Sequence, residues 1–166
     1  MAIRIIREEN DEILKKKSRE VEVIDDKIKE LIQDMLETMH KHEGVGLAAV
    51  QVGVLKRVAI IDLYEDNVEP LILINPRILE EKGEHEVDEG CLSFPNKFAK
   101  IVRPKEITVE YLDINGKKQK QNCKGLLAQA IVHEVDHLNG EVFIDKMIPG
   151  TLELISKEDK KKQKKA

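Results

Sequence analysis

The sequence predicts an α+β fold in which antiparallel sheets pack around one buried helix. Three observations predict it. Candidate strands follow one another in blocks instead of alternating with helices, which disfavours a doubly wound parallel sheet. An Asn115-Gly116 pair separates two of them as a tight hairpin turn would. A strongly apolar helical stretch, Leu126 to Leu138, then follows the strands.

Taken in chain order, Asp25 reads as the N-cap of a first helix. Ile28, Leu31, Ile32, Met35, Leu36 and Met39 keep to one stripe of it, with both methionines as core. His40 and His42 fall at its end as solvated residues suited to the helix dipole, and Gly44 is expected to stop it. Arg57 to Tyr64 and Leu71 to Asn75 read as strands ending at turn or proline signals. His85, in the charged stretch from Glu81 to Glu89, reads as solvated. Glu106 to Asp113 alternates Ile107, Val109 and Tyr111 on one face, and Lys117 to Cys123 is the returning strand, with Cys123 structural. Leu126, Leu127, Ala130, Ile131, Glu134 and Leu138 then fall at helical spacings without proline, and Gly140 supplies a left-handed stop.

The 166 residues suit one domain with one sizeable core. Residues 1–150 read as that single domain and 151–166 as a lysine-rich C-terminal tail, with six lysines between Ser156 and Ala166. A net charge of −4 gives no global basic field for nucleic acid. No apolar run approaches a membrane span, and the first residues turn charged too early for a secretory signal. A cytoplasmic location is therefore expected. Two cysteines, Cys91 and Cys123, do not make a disulfide framework. At 3% aromatic residues and no tryptophan, base stacking is not expected either.

The predicted buried helix carries His133-Glu134-Val135-Asp136-His137. Residues four apart share a helix face, so His133 and His137 offer two imidazole nitrogens to one metal ion. Glu134 lies beside them, within reach of a water on that ion. Buried histidines need partners, and ligation supplies them more economically than a solvated face would.

A catalytic site needs a third protein ligand and one open position. A histidine three residues past Gly140 would continue one metalloprotease pattern, but Phe143 stands there. Downstream glutamates exist, Glu153 and Glu158, but they sit near the lysine-rich end, where a rigid site is hard to build. Upstream, Glu89-Gly90-Cys91-Leu92-Ser93 offers a thiolate, a strong ligand for Fe²⁺ or Zn²⁺, behind a glycine that permits close backbone approach. A third segment, Gly44 to Gly53, brackets small apolar residues and one amide, Gln51, with glycines. It lacks the lysine and hydroxyl ending of a phosphate loop, and small residues also serve close packing.

Three segments, GVGLAAVQ (44–51), EGCLS (89–93) and HEVDH (133–137), together with Arg103-Pro104 and Leu138-x-Gly140, resemble the peptide deformylase family. The resemblance extends from the first helix to about Pro149. It implies a hydrolase of protein biosynthesis that removes the formyl group from the initiator methionine of nascent chains, releasing formate. It implies that Cys91, His133 and His137 hold the metal, generally Fe²⁺, with Zn²⁺, Ni²⁺ or Co²⁺ able to substitute. Glu134 would take a proton from the attacking water and return it to the leaving amine. The Gln51 side-chain amide and the Leu92 backbone N–H would face the developing oxyanion. Val45, Gly46 and Gly90 would meet the peptide backbone. Val45, Val87, Leu126, Ala130 and His133 would line the methionine pocket, with Glu89 hydrogen-bonding behind the site and Arg103 pairing with a carboxylate. Many members have an arginine a few residues past the cysteine motif; the corresponding stretch here reads Asn96-Lys97-Phe98, in which either Lys97 or nothing takes its place. In some bacterial members a basic C-terminal helix docks on the ribosome, which gives the six lysines a meaning.

Two other readings fit parts of this pattern. One is a zinc endopeptidase using His133, His137 and a downstream glutamate, in which Cys91 would be dispensable. The other is a non-catalytic metal-binding interaction domain, against which the retention of Cys91, Gln51 and Glu134 argues.

Overall fold

The computed structural model describes residues 2–155. The tail lysines and Glu158 lie outside the described residues. The fold is α+β with antiparallel sheets, as the sequence predicts. A five-stranded sheet has the order β1-β2-β3-β6-β7 and a three-stranded sheet the order β4-β5-β8. The first comprises β1 (Gly46–Ala48), β2 (Val58–Ile61), β3 (Leu71–Lys82), β6 (Glu106–Leu112) and β7 (Lys118–Lys124); the second comprises β4 (His85–Cys91), β5 (Phe94–Arg103) and β8 (Glu153–Leu154). Helices α1 (Asp26–Lys41), α2 (Gly125–Leu138) and α3 (Phe143–Lys146) complete the chain. Every strand pairing is antiparallel.

The larger sheet is covered on both faces. Successive strand side chains point to opposite faces. Val58 and Ile60 accordingly join the core under α1, with Ile28, Leu31, Ile32, Met35 and Met39, whereas Ala59 and Ile61 join the core under α2, with Ala128, Ile131, Val135 and Leu138. This explains why β2 is an unbroken apolar run and not an alternation. A third cluster, including Leu14, Cys91, Phe94, Ile101 and Phe143, seats α3 on the small sheet.

Asp25 caps α1, its carboxylate accepting from the Ile28 amide at 3.1 Å. The helix stops one residue earlier than expected: Glu43, not Gly44, takes the left-handed conformation (φ 55°), while the Gly44 amide bonds back to Met39. Gly140 ends α2 at φ 78° as predicted. The second strand continues where proline was expected to end it. A register shift between Ile74 and Arg77 absorbs Pro76, so β3 runs on to Lys82. The charged stretch around His85 is not a solvated loop but β4, hairpinned to β5. His85 is half-buried and its Nε2 is buried without a hydrogen-bond partner. His40 is not merely solvated, because its Nε2 meets Asp62 Oδ2 at 2.8 Å. Cys123 is buried on β7, a core residue. No helix among the described residues is long and apolar enough to cross a membrane.

Candidate metal centre

Helix α2 delivers two donors on one face, and β4 ends on the third. His137 Nε2 lies 3.2 Å from His133 Nε2 and 3.3 Å from Cys91 Sγ. The three donor atoms all lie within 4.8 Å of one another, and all three residues are buried. Two metal bonds of about 2.1 Å at a tetrahedral angle place their donors roughly 3.4 Å apart. The donor set and its spacing therefore fit a tetrahedral divalent ion with one position left for water or substrate.

The histidine tautomer is set from behind. His133 Nδ1 donates a short hydrogen bond to Glu89 Oε1, which turns the Nε2 lone pair toward the donor cluster. Glu89 is itself gripped by Arg103, through Nε at 3.0 Å and through Nη2. Arg103 Nη1 also donates to Asp136 Oδ2 at 2.7 Å, and Lys146 Nζ reaches Asp136 Oδ1 at 3.0 Å. Gln129 Nε2 adds a bond to Glu89 Oε2 at 3.2 Å. Burial alone would raise the Glu89 pKa, but the neighbouring His133 and Arg103 outweigh it and hold the carboxyl down at about 2. Burial also works against a charge on His133, yet the carboxylates of Glu89 and Glu134 overcome it and push its pKa well up. A proton and a cation thus compete for that nitrogen. Burial, reinforced by His133, pushes the His137 pKa well down, which favours the neutral, ligating imidazole.

Glu134 is fully buried and neither carboxylate oxygen has a hydrogen-bond partner among the described residues. Burial is the main cause of its raised pKa, about 7, a value suited to accepting and returning a proton near neutrality. Its space is provided by Gly46 on β1: a Cβ there would stand 2.4 Å from Glu134 Oε2. Gln51 is oriented by three contacts. Its Oε1 accepts from the Ala48 amide at 2.9 Å, while its Nε2 donates to Ser93 Oγ at 3.0 Å and faces Cys91 Sγ at 3.5 Å. The donor end of the amide therefore points at the thiolate side of the centre. Leu92 follows Cys91 directly in the turn that leaves β4.

Beside His133 lies a small cavity of about 60 Å³, lined by Val45, Asp88, Glu89, Gly90, Leu126, Gln129, Ala130 and His133. Gly90 keeps one wall thin, since a Cβ would meet the Phe98 ring at 2.6 Å. Of the sequence-predicted pocket residues, Val87 packs instead toward the cluster around Cys91 and Phe143. Gly46 faces Glu134. Glu153 is exposed on β8 and is not part of the donor cluster. Lys97 is engaged by Glu9 at 2.7 Å. Sequence reasoning missed five contributors. Gln129 lies one helical turn before His133, a spacing that marks the same face. Ser93 and Asp136 sit inside the recognised segments. Phe143, which excluded a third histidine, stacks on the His133 ring at 6.3 Å between centroids. Lys146 gave no local signal.

Fold and site together define a buried cluster of one cysteine and two histidines able to hold a metal ion, with an unpaired glutamate beside it, the equipment of a metal-dependent hydrolase. The polypeptide deformylase family profile matches residues 3–152. The chain belongs to that family. A peptide deformylase of Finegoldia magna is 49% identical over 149 residues, covering 89% of this chain and 91% of the relative. One from Nitrosococcus oceani is 47% identical over 164 residues, covering 99% and 98%. Among solved structures, a peptide deformylase from Legionella pneumophila superposes with a TM-score of 0.85 at 43% identity, covering 89% of this chain and 87% of that one. One from Synechococcus elongatus in complex with actinonin gives 0.85 at 40% identity, covering 87% and 80%.

Proposed function

We propose that this centre hydrolyses the N-formyl group of nascent polypeptides that begin with formylmethionine, releasing formate, with the residue roles that follow. One observation carries the reading: three metal donors converge beside a glutamate whose two buried oxygens have no hydrogen-bond partner among the described residues. A structural metal site would use a fourth protein ligand and would have no need of that glutamate.

Cys91, His133 and His137 would hold the ion. A divalent ion so held supplies Lewis acidity toward a water and a carbonyl oxygen. The remaining chemistry belongs to the chain. Glu134 accepts the proton of the water that adds to the formyl carbon, then delivers it to the departing amine. The Gln51 amide, held from behind by Ala48, and the Leu92 backbone N–H stabilise the oxyanion. The cavity between Val45, Leu126 and Ala130 receives the methionine side chain. β1 is an edge of one sheet and β4 an edge of the other. An extended peptide adds as a strand along such edges, with Val45, Gly46 and Gly90 offering backbone groups.

The ion is proposed to be Fe²⁺, with Zn²⁺, Ni²⁺ or Co²⁺ as substitutes, because a thiolate with two imidazoles suits each of them. The proposed setting is the bacterial cytoplasm, with the lysine-rich tail as a contact to the ribosome. The test is formate release from a formyl-methionyl tripeptide by protein purified without oxygen, with metal content assayed in parallel. Turnover at one metal per chain, lost with the metal in Cys91→Ser, is the expected result. Full metal occupancy with no formate but internal cleavage of an unblocked peptide would replace this reading with an endopeptidase.

A further inference from the structure

Between α1 and β1 the chain runs through residues 42–45, which belong to no helix or strand, and Gly44 and Val45 are the last two of them. Val45 lines the small cavity beside His133, and the next residue, Gly46, faces Glu134. The placement of this short link therefore sets one wall of the cavity.

The link is held by the segment that follows β2. The Tyr64 hydroxyl donates to the Gly44 carbonyl at 2.6 Å. The Asp62 amide donates to the Val45 carbonyl at 2.8 Å. Asp62 also organises its neighbours: Oδ1 accepts from the Tyr64 amide at 2.8 Å, and Oδ2 meets His40 Nε2 at 2.8 Å. The Tyr64 ring lies against the His40 imidazole, with 5.8 Å between centroids. Asp62 and Tyr64 thus tie the end of α1 to the link that leaves it.

The backbone on both sides of the Tyr64–Gly44 bond is uncommon. Tyr64 stands at φ 57° and Glu43, just before Gly44, at φ 55°. Side chains are disfavoured in this left-handed region, and such positions persist where surrounding contacts determine them. Burial first, then the carboxylates of Asp62 and Glu43, push the Tyr64 pKa up, so the phenol keeps its proton and remains the donor. Gly46 has separate support, because it pairs with Ile61 in the ladder between β1 and β2.

Building on the function proposed above, we infer that Tyr64 is a positioning residue for substrate selection: through the Gly44 carbonyl it fixes the Val45 wall of the methionine cavity, and the His40–Asp62 pair holds Tyr64 in place. Loss of the hydroxyl frees the wall while β1 stays paired. Recognition of the first side chain then suffers, and proton transfer at Glu134 does not.

The test compares formyl-methionyl and formyl-alanyl tripeptides on the metal-loaded full chain and on Tyr64→Phe and Tyr64→Gly variants, with rates taken per bound metal. Phenylalanine removes only the hydroxyl, and glycine also removes the unfavourable φ. In both variants KM for the methionyl peptide should rise about fivefold, the factor that one hydrogen bond of ordinary net strength controls, with kcat within twofold of the parent. The kcat/KM preference for methionine over alanine should fall by about the same factor, because the shorter side chain gains little from the wall. An unchanged preference overturns the inference. So does an equal loss of kcat/KM for both peptides, or a fall in kcat at constant KM, because a bond that only supports the fold would not alter selection. Absence of formate from the parent would instead refute the reading of the centre, and this inference with it.

Discussion

Replacing Gly46 with alanine would displace the carboxylate on which proton transfer depends, without touching a metal donor. The added Cβ would stand 2.4 Å from Glu134 Oε2, 3.1 Å from Cδ and 3.2 Å from Cγ. Ordinary contact begins near 3.4 Å. The carboxylate must therefore retreat by about 1 Å, or β1 must move by as much. Glu134 cannot swing out to water, because this residue of α2 is fully buried. Gly46 is not among the glycines with positive φ, so alanine brings no backbone strain and the effect is steric alone. A displacement of this size at a reacting group costs about a hundredfold in rate, or ~2.7 kcal/mol of transition-state stabilisation. The assay is kcat and KM for formate release, with metal per chain measured on the same sample. Metal should remain at parent stoichiometry, KM should change little, and kcat should fall about a hundredfold. A metal-loaded Gly46→Ala protein with kcat within threefold of the parent would refute the role given to Glu134 and the closeness of β1 to it.

Three further outcomes follow from the surrounding structure. Arg103→Met leaves the carboxylates of Glu89 and Asp136 buried without their guanidinium, which should cost about 3–5 kcal/mol of stability; thermal unfolding checks it, and a shift in Tm below two degrees would contradict it. Asp34→Asn weakens the anchor of the N-terminal segment by about 1–2 kcal/mol. Burial alone would raise the Asp34 pKa, but the Ala2 amide and Arg4 outweigh it, so the folded value lies below the usual 3.8. The carboxylate's contribution is thus present above pH 3.8 and disappears as pH falls through the lowered folded value. The stability difference between parent and variant, measured by denaturant at pH 6 and near pH 3, should shrink at the lower pH, and a constant difference would count against the ion pair. Gly140→Ala forces alanine to φ 78° and brings its Cβ 2.5 Å from the Lys15 carbonyl oxygen, so a loss of about 2–3 kcal/mol is expected in urea unfolding.

The features legible in the sequence are those whose reasons are local. The α1 stripe, its Asp25 cap and the 3.6-residue spacing of the metal helix need only neighbours in the chain. Cys91 was legible because glycine and cysteine stand together in a segment that resembles a known family. The β4–β5 hairpin was not, because its exposed positions carry Glu86 and Asp88 while the half-buried His85 takes an inward position, which masks the alternation. Strand β3 was cut short because a register shift that accommodates Pro76 depends on the partner strand β6. Lys146 and Phe143 reach the centre only through the return of the chain along α3. No periodicity in the sequence reports that contact.

The charges around the centre suggest why these long-range contacts are built. Glu89 and Asp136 are two buried carboxylates, and Arg103 and Lys146 face them with two positive charges. Lys146 is shared with Glu141 at 2.8 Å, so both buried carboxylates are paired within the protein. A divalent ion held by Cys91, His133 and His137 would bring positive charge beside the Glu134 carboxylate. In the proposed reaction, protonation of Glu134 would remove one negative charge from the centre as the oxyanion gains one. Gln51, anchored by Ala48 and Ser93, aims its donor end at the same region. Burial, which raises the Glu134 pKa to about 7, also strengthens each of these interactions by excluding water. The unpaired glutamate costs folding stability, and the cost is localised where Gly46 and α2 hold it against the site. Of the carboxylates described at the centre, Glu134 is thus the one left without a partner, and in the proposed reaction it is the one that changes its charge.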